Sequence, residues 1–157
     1  MAIDVVMRDV EEQDIKDLHN NLREADKQEL LATTSLNLYD VIKDSVELST
    51  YAQAATFNDE LVCLWGVCPI SMISRKGSPW MLSTSVIEKY PLAFLKRCKP
   101  VIEKFTDNYN YLENHVDVRN TVAIHWLKWL GFKFDEPKPW GIKGFDFQRF
   151  TMEKNNV

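Results

Sequence analysis

The segment Asn120-Thr-Val-Ala-Ile-His-Trp-Leu-Lys-Trp-Leu-Gly-Phe132 carries more structural information than any other in the chain. Asn120 is a residue type that caps helix N-termini, because its side-chain oxygen can accept an orphan backbone N–H. Ala123, Leu127 and Leu130 fall on one stripe of a helix, with Ala123 small enough to let that helix approach a neighbour. Gly131 stops it in the left-handed conformation that costs a glycine least, and Phe132 returns the chain to the core as a strand. The spacing predicts a helix over 120–130, packed through those three apolar positions.

Working upstream, Tyr109 to Val118 reads as a strand, and Tyr90 to Phe105 reads as a helix. Pro91 lies in that helix's first turn, where its missing N–H is harmless, and Pro100 predicts a kink or break. Trp80 to Ser85 has strand character, whereas Ser74 to Pro79, with its Gly and Pro, reads as a loop. Tyr51 to Phe57 and Leu61 to Cys68 form a hairpin across Asn58-Asp59. Ile3 to Arg8 predicts a first strand, followed by a helix over Glu11 to Arg23 with Ile15, Leu18 and Leu22 on its apolar stripe and Asp9 as N-cap. Further helices are predicted over Ala25 to Ala32 and Leu38 to Leu48. Downstream, Phe145 to Met152 closes the chain as a strand. Strands and helices in this order make a mixed α/β (α+β) fold, a central twisted sheet flanked by helices, and no repeat or linker divides residues 1–157 into more than one domain.

Composition agrees with one well-packed core: 157 residues, 45% hydrophobic, with eight Phe, five Tyr and five Trp. A net charge of −4 with scattered basic residues argues against a stand-alone nucleic-acid binder, whose affinity comes from Lys and Arg on phosphates. Lys96-Arg97-Cys98-Lys99 is the nearest thing to a basic run and reads as a solvated helix face. Cys63, Cys68 and Cys98 lack the spacing and partnering His of a metal site, so no metal is expected. They read as reduced, buried thiols in a cytosol-like compartment. Neither a signal peptide nor an apolar run of membrane-spanning length is evident.

The 120–132 segment resembles the Asn-x-x-Ala-Ile-x-x-Tyr-x-x-x-Gly-Phe signature of GNAT acetyltransferases, at the place where that fold puts it. Asn110-Tyr-Leu-Glu-Asn-His-Val-Asp-Val-Arg-Asn-Thr121, together with Asp14-Ile15 and Asn21-Leu-Arg-Glu-Ala-Asp26, is similar to passages of a GNAT-like internal virion protein family of short-tailed phages. The resemblance implies a phage-encoded, acetyl-CoA-dependent N-acetyltransferase. It equally admits a catalytically silent scaffold that binds virion components or a host protein, in the virion interior or the host cytoplasm.

In that family a glycine-rich loop after the fourth strand holds the cofactor pyrophosphate, and a Tyr on the last helix protonates the departing thiolate. Here Val86-Ile-Glu-Lys-Tyr-Pro-Leu-Ala93 has no glycine, and Leu127 stands at the Tyr position. Weak acetyl-CoA binding is therefore expected, with Ser85, Val86, Lys89, Lys96, Arg97 and Asn120 as the cofactor side of the site. Glu88, Tyr90, His115 and Asp117 are the catalytic candidates. His115 and Asp117 share strand parity, so a His beside a carboxylate can deprotonate an amine, or the pair is simply a solvated sheet face.

Overall fold

The computed structural model describes residues 2–154. Strand β1 (Val5–Asp9) leads into three helices, α1 (Glu12–Asn21), α2 (Glu24–Thr33) and α3 (Leu38–Leu48). A meander follows, β2 (Tyr51–Phe57), β3 (Glu60–Ser71) and β4 (Lys76–Ser83), then a 3-10 turn over Ser85–Lys89 and the long α4 (Pro91–Asn108). Strand β5 (Tyr111–Asp117), α5 (Thr121–Leu130), β6 (Lys133–Phe134), β7 (Lys138–Trp140) and β8 (Phe145–Glu153) complete the chain. The sheet order is β1-β2-β3-β4-β5-β8-β6, with β7 also on β8. All pairings are antiparallel except β4 with β5.

Neighbouring residues on a strand face opposite ways, and that alternation builds two cores. Ala55, Cys63, Trp65, Leu112 and Val116 pack beneath α4 and α5, whose Phe94, Phe105 and Trp126 reach down to them. Ala54, Leu64 and Leu82 pack on the other face against Ile15 and Leu18 of α1 and Ile42 of α3. Helix α2 lies on this second face, through Leu30.

Several local expectations are corrected. The N-cap of α1 is Glu11, not Asp9, because the Asp14 carboxylate reaches back to the Glu11 backbone N–H at 2.8 Å and closes a capping box. Asn120 does occupy the N-cap position of α5, but its side chain makes no cap bond and turns to Arg23 instead. Helix α4 runs unbroken through Pro100. Trp126 is buried, whereas Trp129 is 49% exposed and carries the Lys99 ammonium over its ring at 4.5 Å.

The larger correction falls on Ser74–Pro79, which is mostly strand, since β4 begins at Lys76. Gly77 is required there for space: a Cβ would lie 2.8 Å from both the Tyr109 ring and Val67. Pro79 is tolerated because the edge of β4 that faces β5 is unpaired at this point, so no N–H is missed.

Candidate functional site

Strands β4 and β5 are hydrogen-bonded only at Lys76–Tyr111 and Gly77–Leu112, and then splay apart. Beyond that point only side chains cross the gap. Asn114 Nδ2 donates to the Pro79 carbonyl at 2.7 Å. Farther along, α2 reaches into the opening with two carboxylates three residues apart, hence on one helix face. Asp26 accepts from the Ser83 N–H (2.9 Å) and hydroxyl (2.8 Å) at the end of β4, and Glu29 accepts from the Asp117 N–H (2.6 Å) at the end of β5.

A cavity of about 280 Å³ runs through this gap. Its walls come from both faces of the sheet: Phe94, Cys98, Ala123 and Leu127 on one side, and Glu29, Thr33, Trp80, His115 and Trp140 on the other. An apolar cavity of roughly 150 Å³ already admits a benzene-sized molecule, so this one is large enough for a chain of several heavy atoms. The mouth on the α2 side is fixed by the β7–β8 turn. Gly141 has a φ of +81°, and a Cβ there would be 2.5 Å from the Ala32 carbonyl oxygen, so only glycine lets the turn rest on α2. That seating places Trp140 over the His115 ring, stacked at 4.2 Å between centroids.

The inner end of the cavity is polar and tightly bonded. Arg23 is only 6% exposed; its Nη2 donates to Asp26 (2.9 Å) and to Asn120 Oδ1 (3.0 Å), and its guanidinium lies 5.7 Å from the Trp126 ring centroid. Its backbone N–H meets the Ser83 carbonyl at 2.8 Å. Two buried side-chain donors among the described residues lack a partner, Arg23 Nε and Trp65 Nε1, and both residues line this cavity.

Protonation follows from the same packing. Burial pushes the Glu29 carboxyl up to about 7, reinforced by the nearby Asp26 and Asp117 charges and opposed by its hydrogen bonds with Asp117 N–H and Asn120. Burial also lowers the His115 imidazole below its ordinary value, with Arg149 acting the same way and the Glu113 and Asp135 charges opposing. Asp117 is lifted by burial, but its bonds from Arg119 outweigh this and hold it below the ordinary carboxylate value. Burial pushes the Cys98 thiol up to about 12, so it is no nucleophile at neutral pH.

The residues singled out from sequence are not brought together as one set. His115 lines the cavity, while the Asp117 carboxylate is engaged by Arg119 at 2.6 Å rather than by His115. Tyr90 packs edge-on against the cavity-lining Phe57 at 6.0 Å and does not itself line the cavity. Glu88 stands 3.8 Å from Arg23, beside an open polar groove shared with Ser85 and the start of α2. The Val86 N–H is taken by the Thr84 hydroxyl, and Lys89 faces Glu60 at 3.9 Å. Lys96 is exposed, Arg97 reaches the cavity, and Asn120 is locked to Arg23 and Asp26. Glu29, Arg23 and Asp26 were not among the sequence candidates.

These groups suit an amide-bearing chain better than a pyrophosphate. Met81 lies between Pro79 and Ser83 on the free edge of β4, so alternation turns its N–H and C=O into the gap, an unpaired edge of the kind on which an extended amide-bearing chain adds as a strand. The apolar walls and the Trp65 donor suit such a chain. The turn after β4 does not suit a pyrophosphate: it is a 3-10 turn with Ile87 fully buried, and Pro91 removes one N–H from the start of α4.

No protein-family model matches this sequence, and no curated protein matches it. Solved structures are similar. A Vibrio cholerae spermidine N-acetyltransferase, in complex with CoA and spermine, superposes with a TM-score of 0.72 at 15% identity, covering 95% of each chain. A Streptococcus pneumoniae acetyltransferase of the GNAT family gives 0.67 at 13% identity, over 97% of this chain and all of that one. A probable acetyltransferase gives 0.71 at 14% identity, over 96% and 93%. Among the described residues no helix is long and apolar enough to cross a membrane, and no cluster of metal-ligating side chains is present. The splayed, mixed sheet with helices on both faces is the fold of the GNAT acetyltransferases.

Proposed function

We propose that this protein is an N-acetyltransferase that draws its acetyl group from acetyl-CoA and holds the thioester arm rather than the phosphates. The observation that carries the reading is the cavity passing through the β4–β5 splay. Such a passage lets a donor arm enter from the α4–α5 face while an amine arrives from the α2 face, so the two reactants meet end to end. When bound, acetyl-CoA would supply an activated carbonyl. The chain would supply the free β4 edge at Met81, the apolar walls that exclude water, and the Trp140–His115 stack at the amine's entrance. Leu127 offers no proton to the departing sulfur, which makes the expected turnover slow.

A second reading has its own support. The Arg23–Asp26–Ser83–Asn120 bonds fasten the strand ends from inside the chain, which suits a scaffold of the same fold that binds a partner without catalysis. The phage likeness of the sequence makes virion components or a host protein the candidate acceptors or partners. Incubation with acetyl-CoA and primary alkylamines, followed by thiol release and product mass, separates the readings. Acetylated amine formed in step with thiol supports the enzyme. No acetylated amine, and thiol release no faster than in the protein-free control, leaves the scaffold.

A further inference from the structure

Among the described residues, Glu29 is the one carboxylate in the gap whose oxygens are not committed to a cation. Asp26 is bonded to Arg23, and Asp117 to Arg119. Glu29 accepts a short bond from the Asp117 N–H, is also bonded with the neutral Asn120 side chain, and lines the cavity between the strands. It lies on the α2 face, on the same side of the sheet as the Trp140–His115 mouth. We propose that Glu29 is the proton acceptor for the incoming amine; this rests on the acyl-transfer reading above.

The step balances without further reagents. An alkylammonium entering past Trp140 gives one N–H proton to the Glu29 carboxylate. The freed nitrogen lone pair bonds to the acyl carbon, and the carbon–sulfur bond breaks with its electron pair on sulfur. The nitrogen's second proton goes to solvent, the thiolate takes a proton from solvent, and Glu29 returns its own through the mouth. An acceptor that must be empty at neutral pH and still hold a proton briefly works best with a pKa near the operating pH, and packing brings Glu29 to about 7. The charges that face it are Asp26 on its own helix and Asp117 with Arg119 from β5 and the turn after it; Arg23 stands beyond Asp26. The first two disfavour its ionised form and the arginines favour it.

The test uses Glu29→Gln and His115→Asn beside the wild-type chain. Wild-type kcat/KM for butylamine is expected to rise through about pH 7 and then level off, because ammonium is accepted directly. Glu29→Gln is expected to lose at least ~100-fold at pH 7.5 and to climb instead toward the amine's own pKa, about 10.4 for a lysine-like amine. His115→Asn, at the amine's entrance, is expected to raise KM for butylamine while keeping the wild-type rise through about pH 7. Full activity in Glu29→Gln, or a pH 7 transition that survives in Glu29→Gln and disappears in His115→Asn, overturns the proposal. A donor-free readout separates it from the acyl-transfer reading: butylammonium should lower the pKa of the ¹³C-labelled Glu29 carboxyl. If the wild type acetylates nothing, the transfer reading falls, and an unmoved Glu29 carboxyl removes the amine contact as well.

Discussion

Glu29→Gln is expected to stabilise the protein by about 3 kcal/mol at pH 8 relative to its effect at pH 4. The folded-state pKa of Glu29 is about 7, against an ordinary value of 4.5. An acid raised in this way adds stability that is complete below pH 4.5 and is lost as pH climbs through 7, since folding then holds an ionised carboxylate in a poorly solvated place. At about 1.36 kcal/mol per pH unit, the span between the two values is worth roughly 3 kcal/mol, or some 6–12 °C in Tm for a domain of this size. A glutamine keeps the carbonyl oxygen that accepts the Asp117 N–H and carries no charge. Thermal melts of both chains from pH 4 to 8 check this. Curves that keep a constant separation across that range would contradict the Glu29 assignment. Stability gained where turnover is lost is also what a functional group held at a cost should show.

Asp26→Ala is expected to cost about 3–5 kcal/mol, because it leaves the buried Arg23 charge without its partner. The Ser83 N–H and hydroxyl lose their acceptor in the same step. Against a total stability of about 5–15 kcal/mol, that loss is enough to bring urea unfolding to low concentration. Replacing Arg23 by Met and Asp26 by Leu together should recover much of it, since the cost lies in the unpaired charge and not in the missing pair. An Asp26→Ala unfolding free energy within about 1 kcal/mol of wild type would show that the network does not hold the strand ends together.

How legible all this is in the sequence depends on the range of the interaction. Apolar periodicity and the Asn58-Asp59 turn set α1, α3, α5 and the β2–β3 hairpin, because those patterns are local. Gly77 and Pro79 misled for a physical reason: both are loop formers by composition, and here they serve a crowded approach and an unpaired strand edge that no local pattern announces. Strands β6 and β7 span two and three residues, too few for alternation to register. Glu29 is the sharper case. In sequence it is one more acidic residue on a polar helix, and its significance comes from a bond to a residue 88 positions away. Asn120 likewise reads as a helix cap until Arg23, 97 positions distant, claims its oxygen. The missing glycines after Ser85 and the Leu at 127 were plain from the sequence, and the 3-10 turn and the apolar wall at those positions give them their structural meaning.

The claim that the splay holds a thioester arm while the phosphates go largely unheld is tested most directly by calorimetric titration with acetyl-CoA and with S-acetylpantetheine at physiological salt. Acetyl-CoA is expected to bind at or above roughly 100 μM, about −5.5 kcal/mol, with acetylpantetheine within about tenfold of it. Exposed cations such as Lys96 contribute little to phosphate binding once salt screens them. Micromolar acetyl-CoA binding with no detectable acetylpantetheine, or no binding of either, would contradict the account.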